Sequence, residues 1–211
     1  MTIDKKYVDQ IINVTSKAAI ASSHLLGKQD KIKADQAAVD AMRTELNKID
    51  MTGEIVIGEG SLDDAPMLFN GEILGKKIGP KFDIAVDPLE GTNFAANNLP
   101  GAMSVIAIAE KGNLFKAPET YMHKIATAKI EKGLIDLDYS IKKNIENLAE
   151  SRNTTPSNLT ACLLDRPRHK KIIDDLSALK VKTKLITDGD VAGALLVTQP
   201  KYGVDIFIGI G

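Results

Sequence analysis

Apolar side chains recur at three- and four-residue spacings from Tyr7 through Val8, Ile11, Ile12, Val14, Ala18 and Ala19 to Leu25 and Leu26. That spacing predicts an amphipathic helix over residues 4–26, stopped by Gly27. A second helix is predicted from about Ala34 to Ile49, with Ala37, Ala38, Ala41, Met42 and Leu46 inward, after a polar loop spanning residues 28–35. The period then changes. Residues 54–57 (Glu-Ile-Val-Ile) and 82–86 (Phe-Asp-Ile-Ala-Val) are short β-branched runs, each leading into an acidic motif. Residues 102–109, a Lys111–Asn113 turn and Leu114-Phe115 predict a hairpin.

Beyond about residue 135 the pattern alternates. Helices are expected at 140–152, 167–179 and 191–198, and strands at 160–164, 181–187 and 204–210. This β-α-β-α-β order predicts a parallel sheet with right-handed crossovers. Ligand groups then belong at the carboxyl ends of its strands, where Arg166-Pro167-Arg168 and Asp188-Gly189-Asp190 fall. The expected organisation is an α/β chain with a first domain over 1–135 and a second α/β domain over 136–211. The apolar run 204–211 ends the chain without a following turn, so the second domain is expected to be incomplete.

Composition narrows the chemistry. The chain has 211 residues, 44% of them hydrophobic, enough for a substantial core. Its 27 basic and 28 acidic residues nearly cancel to a net charge of -1, which gives no global field for nucleic acid or an anionic membrane. No apolar stretch reaches the roughly 20 residues needed to span a bilayer, and the first residues do not resemble a secretory leader. One cysteine and three histidines are too few for a Cys/His zinc site, so any metal is expected to be held by oxygen.

Four acids occupy unusual settings. Asp35 precedes an alanine-rich helical face, where it reads equally as an N-cap. Glu59 lies between two glycines, a setting also suited to a solvated turn. Asp87 and Glu90 sit around a proline in Asp87-Pro-Leu-Glu-Gly-Thr92 at the end of an apolar strand. Carboxylates delivered by strand ends suit Mg2+ or Mn2+, and Gly91-Thr92 would add backbone N–H groups and a hydroxyl for a phosphate. Arg166 and Arg168, bracketing Pro167, suit bidentate phosphate recognition, although such a turn can also be merely solvated. Asp188-Gly-Asp190 imitates the start of a calcium loop, but Ala192 and Gln199 stand where oxygen ligands would be needed. Gly58-Glu-Gly60 lacks the third glycine of a dinucleotide fingerprint.

The run Asp87-Pro-Leu-Glu-Gly-Thr92 resembles the Asp-Pro-(Ile/Leu)-(Asp/Glu)-Gly-Thr signature of the lithium-sensitive, metal-dependent sugar phosphatases. The class II fructose-1,6-bisphosphatase family is the best fit. Supporting segments run along the chain: Lys31 to Asp35 with Ala37–Val39 and Ala41–Arg43, Ile55–Gly60 with Asp64–Met67, Arg166–His169, and Asp188–Asp190. The resemblance implies a layered α/β/α/β/α fold and Asp35, Glu59, Asp87 and Glu90 as ligands of Mg2+ or Mn2+. It implies that Thr92 positions or deprotonates the attacking water, and that Lys31 and Asp63 stand near the catalytic centre. It further implies substrate contacts from Glu90, Gly91, Thr92, Tyr121, Arg166, Pro167, Arg168, Asp188, Gly189 and Asp190. Taken alone, Asp190 reads as a helix N-cap.

The implied protein is a cytoplasmic homo-oligomer that takes a small sugar bisphosphate, with neither nucleic acid nor membrane as partner. Its expected reaction is removal of the 1-phosphate of fructose 1,6-bisphosphate in gluconeogenesis. Other lithium-sensitive phosphatase substrates (sedoheptulose bisphosphate, inositol phosphates, adenosine bisphosphate) are the enzymatic alternatives, and a non-catalytic metal-binding or assembly module is the alternative of another class. Family members continue into a Gly-Ala-Pro-Glu-Gly motif that adds a further acidic ligand, so this chain alone is expected to be poorly active.

Overall fold

The computed structural model describes residues 3–60, 67–118, 120–128 and 130–211. The chain forms two compact units, Met1–Glu119 and Thr120–Gly211, and the described residues carry six α-helices and two mixed four-stranded sheets. This is the expected α/β class. Among the described residues no helix is long and apolar enough to cross a membrane.

In the first unit, α1 (Lys5–Ser23) and α2 (Lys31–Leu46) precede β1 (Thr52–Ile57), β2 (Ile73–Leu74), β3 (Lys81–Glu90), α3 (Thr92–Ala96) and β4 (Met103–Glu110). The predicted periodicity is physically realised. Val14 and Ala18 of α1, with Ala38 and Met42 of α2, are buried in one core with Ile55 of β1 and Ile84 of β3. Each fully buried aliphatic side chain contributes roughly 1.5–3 kcal/mol. The Tyr7 and Phe82 rings meet edge-on at 5.2 Å, and the Tyr7 hydroxyl donates to the Asp50 carbonyl at 3.2 Å.

Two expectations fail here. Helix α2 begins at Lys31 rather than near Ala34, because Asp30 is its N-cap and accepts the Lys33 amide at 3.0 Å. Asp35 is therefore helical, not a cap. The hairpin through Leu114-Phe115 does not form either. Strand β4 instead pairs antiparallel with β3, from Phe82 opposite Glu110 to Glu90 opposite Met103. The reason is Asp83, buried on β3, whose carboxylate accepts the amides of Gly112 at 2.6 Å and Leu114 at 3.3 Å and ion-pairs with Lys111 at 3.2 Å. Burial alone would push this carboxyl up, but the bonds from Leu114, Lys111 and Gly112 hold it below its ordinary value. The turn amides are thus claimed by a side chain rather than by a returning strand.

The sheet order is β2-β1-β3-β4, with β1 and β3 parallel. Their parallel pairing carries both strands in the same direction towards the acidic segments that follow them.

The second unit contains β5 (His123–Thr127), α4 (Ile141–Ser151), β6 (Thr160–Leu164), α5 (Lys170–Ala178), β7 (Lys182–Ile186), α6 (Asp190–Leu195) and β8 (Ile206–Ile210). Its order is β5-β8-β6-β7, and β6 runs parallel to both β7 and β8 as the alternation predicts. The sheet is not purely parallel, because β5 closes one edge antiparallel to β8. That pairing places residues 123–127 with the second unit, ahead of the boundary expected at 135. Ser140 caps α4 by accepting the Lys143 amide at 3.1 Å. Ile145, Leu148, Leu163, Leu176 and Ile206 form a fully buried core.

The Asp83 arrangement makes a direct prediction. Asp83→Ala removes a buried acceptor for two amides and should lower stability in urea unfolding by about 2 kcal/mol. A loss below roughly 0.5 kcal/mol, the scale of an ordinary surface change, would show that the turn holds itself.

Candidate active site

Strand alternation would send side chains three residues apart to opposite faces of a sheet. Asp87 and Glu90 escape this because β3 carries one extra residue between them: Asp87 faces Val105, while Glu90 faces Met103. The bulge lies at Pro88-Leu89, where proline could not have donated to a regular ladder. It brings the two carboxyl groups together, and in its protonated form Asp87 donates a hydrogen bond to Glu90. Glu90 is buried.

Gly91 follows in the left-handed region at φ 77° and ψ 50°, and a Cβ there would stand 2.7 Å from the Phe94 ring. This turn starts α3 at once, so that Thr92, the first helical residue, follows Glu90 after a single glycine. The end of α3 is tied to the α1–α2 connection, since the amides of Gly27 and Gln29 donate to the Ala95 and Ala96 carbonyls at 3.0 and 2.9 Å. Helix α2 and its Asp35 are thereby anchored to the segment carrying Thr92.

A second bulge lies between Ile55 and Ile57, and the pairing of β1 with β3 stops at Ile57 opposite Ala85, just before Gly58-Glu59. Gly58 packs so closely that a Cβ would lie 2.0 Å from the Leu68 carbonyl oxygen. That oxygen accepts the Glu59 amide at 3.0 Å, which fixes the backbone bearing the Glu59 carboxylate.

The four acids read from the sequence share one electrostatic environment. Burial holds Asp35 above its ordinary value. Glu59 is pushed up to about 7, first by burial and then by the charge on Asp35. Asp87 is pushed up to about 8, first by burial, then by its hydrogen bond to Glu90 and by the charges on Glu90, Glu59 and Asp35. Three separate elements thus converge on one cluster of anions. Such a donor set, all oxygen and all carboxylate, fits a hard divalent cation. Among the described residues no three of these groups are already gathered into a closed ligand shell. Mutual repulsion opposes that closure in the absence of a compensating charge.

Lys31 is the exposed first residue of α2, four positions before Asp35. Asp63 lies outside the described residues.

The second unit assembles the predicted cationic and polar groups at the carboxyl ends of its parallel strands. Arg166 and Arg168 follow β6, separated by Pro167 in a short 3-10 turn. Arg166 donates to the Asp165 carbonyl at 3.0 Å and lies 3.9 Å from Asp188, which follows β7. Arg168 donates through Nε to the Ile210 carbonyl at 2.8 Å, and its guanidinium lies 4.6 Å above the centre of the exposed Tyr121 ring. Gly189, not Asp190, takes the N-cap position of α6, with φ 76°. Asp190 is the first helical residue and bonds to Lys124 on β5.

Two residues here escaped sequence reasoning. Lys124 carries no motif of its own, and only the β5–β8 pairing places it against Asp190. His169 was visible within Arg166–His169 but had no assigned role. It is fully buried, its Nδ1 lies 2.7 Å from the Leu164 carbonyl oxygen, and its Nε2 lies 2.8 Å from the Ile210 amide nitrogen and 3.1 Å from the Ile210 carbonyl oxygen. Ile210 is therefore gripped at its N–H by His169 and at its carbonyl by Arg168. Cys162 is buried on β6, its thiol pushed up to about 11 by burial, so it offers no thiolate nucleophile.

The raised carboxyl values predict how stability depends on pH. A carboxyl whose folded value lies above its unfolded one stabilises the fold at low pH, and that contribution fades as pH rises through the folded value. In chelator, the thermal midpoint should fall between about pH 5 and about pH 8 as Glu59 and Asp87 ionise. Asp87→Asn, neutral throughout, should flatten this decline. Parallel slopes for parent and variant would show that the fold does not hold the Asp87 carboxyl above its ordinary value.

A sequence model of the bacterial, glpX-encoded fructose-1,6-bisphosphatase matches residues 5–211. Two curated relatives are each named D-fructose 1,6-bisphosphatase class 2/sedoheptulose 1,7-bisphosphatase. One, from Prochlorococcus marinus (strain MIT 9303), is 44% identical over 209 residues, which cover 99% of this chain and 63% of the relative. The other, from Synechococcus sp. (strain JA-3-3Ab), is 44% identical over 221 aligned residues, covering 99% of this chain and 64% of the relative. The chain thus spans a little under two thirds of the length of these relatives. By the match over residues 5–211, the chain belongs to the glpX-encoded bacterial fructose-1,6-bisphosphatase family.

Proposed function

We propose that this chain carries the metal-dependent phosphatase site of a sugar bisphosphatase and acts on the 1-phosphate of fructose 1,6-bisphosphate, giving fructose 6-phosphate. The observation that carries this reading is the shared field of Asp35, Glu59, Asp87 and Glu90, in a chain of this family. Asp35, Glu59, Asp87 and Glu90 would hold Mg2+ or Mn2+. When bound, the cation supplies charge neutralisation at the phosphate oxygens and a lowered pKa for water.

The chain's own groups do the rest. The Thr92 hydroxyl, at the start of α3, orients the attacking water and accepts or relays its proton towards the adjacent carboxylate pair. Gly91 lets the backbone approach the reacting phosphoryl group without a side chain in the way. Arg166 and Arg168 recognise the phosphate that does not react, with Arg168 held ready by Tyr121 and the Ile210 carbonyl. Asp188 and Asp190 accept hydrogen bonds from sugar hydroxyls.

The relatives' names also cite sedoheptulose 1,7-bisphosphate, and that observation supports a second reading in which the longer sugar is a substrate as well. Homo-oligomerisation is part of the same proposal.

Phosphate release in Mn2+ should be measurable with a sugar bisphosphate. It should fall at least ~100-fold in kcat for Asp87→Asn and for Thr92→Val. Release from no phosphate ester, despite bound Mn2+, would leave a metal-binding module without catalysis. Comparing the two bisphosphates separates the substrate readings. Arg168→Lys keeps the charge but loses the planar fork, so KM should rise by about tenfold with a smaller change in kcat. An unchanged KM would remove Arg168 from substrate recognition.

A further inference from the structure

Asp35 and Glu59 reach the acidic cluster from elements that are not continuous in the chain: α2, and the segment after β1. Their relative placement must be fixed by something other than the strand ladder, which stops at Ile57, before Glu59. The connection runs through Glu72. This carboxylate is only 6% exposed and serves two donors at once. Its Oε1 accepts from Nε of Arg43 at 2.7 Å, and its Oε2 accepts the amide of Leu68. Arg43 stands on α2, about two turns beyond Asp35. Leu68 is fully buried and held at φ 56°, a left-handed conformation that a leucine does not adopt without outside support. Its carbonyl accepts the Glu59 amide at 3.0 Å. The glycine at position 58 is what allows that carbonyl to come so close.

We propose that the Arg43–Glu72 ion pair is a positioning device for the acidic cluster, locking the Leu68 backbone that holds Glu59 to the helix that carries Asp35. The inference rests on the reading that Asp35 and Glu59 bind a divalent cation. Glu72 does not itself touch that cation. It acts through Leu68, and the arrangement requires a full carboxylate. A glutamine has one oxygen for two donors, and its amide would confront whichever donor is left over. Arg43 supplies the compensating charge without which a buried carboxylate is unfavourable. Residues that orient the groups around a metal in this way commonly change affinity as much as fold.

The test is Mn2+ binding to the 211-residue chain, followed by the electron paramagnetic resonance of the free ion, at a temperature well below each variant's melting point. Glu72→Gln and Arg43→Met should weaken Mn2+ binding by about 10- to 100-fold. Arg43→Lys, which keeps a cation within reach of Oε1, should recover part of that loss. Glu59→Gln serves as the control on the underlying reading. If Glu59→Gln loses Mn2+ while Glu72→Gln and Arg43→Met stay within about twofold of the parent, the pair is structural only and the inference fails by itself. If Glu59→Gln binds as the parent does, the cation reading falls and takes the inference with it. Arg43 is substantially exposed, so its variants carry the comparison should Glu72→Gln not fold.

Discussion

Like charges brought close together in a partly buried place are the constraint around which the first unit is built. Two unit charges about 5 Å apart, at an effective dielectric near 20, repel by roughly 3 kcal/mol. Asp87 meets three other acids, and its raised value reflects burial first and then that burden. A scaffold that relied on the same region for stability would relax by turning the carboxylates outward. Here the stability comes from elsewhere, from the apolar contact of α1 and α2 with β1 and β3. The acids are held by backbone features: a bulge at Pro88-Leu89, a bulge before Gly58, and a left-handed Gly91. Backbone geometry of this kind cannot be relieved by a rotamer change. That is why it can sustain an unfavourable arrangement of side chains.

The second unit handles the opposite sign in the opposite way. Its cations are not crowded together but individually braced. Arg166 has Asp188 near it, Lys124 has Asp190, and Arg168 has the Tyr121 ring and a backbone carbonyl. Bracing limits how many conformations a long basic side chain explores, so less freedom is lost when an anion arrives. The buried imidazole of His169 extends the same logic into the backbone, since it fixes the residue on which Arg168 leans. One unit crowds carboxylates together, while the other holds its cations apart and braces each of them singly.

What the sequence made legible follows from which interactions are local. The amphipathic period placed α1 and α4, and β-branched runs placed β1, β3, β6, β7 and β8, because burial of one face writes itself into residue spacing. The acids at 35, 59, 87 and 90 were readable as a set because their settings are short and unusual. Strand β5 was not, since His123–Thr127 mixes charged and apolar residues and belongs to an edge. The false hairpin arose because Leu114-Phe115 is apolar, while the decisive partner of that turn, Asp83, lies well back in the chain. The bulge in β3 also left no mark beyond Pro88. The Arg43–Glu72 pair is wholly long-range and could not be seen in any window of the sequence.

The start of α2 shows why a displacement of a few residues matters chemically. An acid at a helix N-cap spends its carboxylate on the amides of the first turn, which favours the ionised form and ties the side chain to its own backbone. Had Asp35 been the cap, it would have been a poor partner for a cation. The cap is Asp30, whose carboxylate receives both the amide and the ammonium of Lys33 and is held below its ordinary value by them. Asp35 instead lies one turn inside the helix, partly buried, and is shifted in the other direction. Two aspartates five residues apart thus divide two tasks that a single residue could not perform together. One is bound to the helix, and the other is kept available to the cluster.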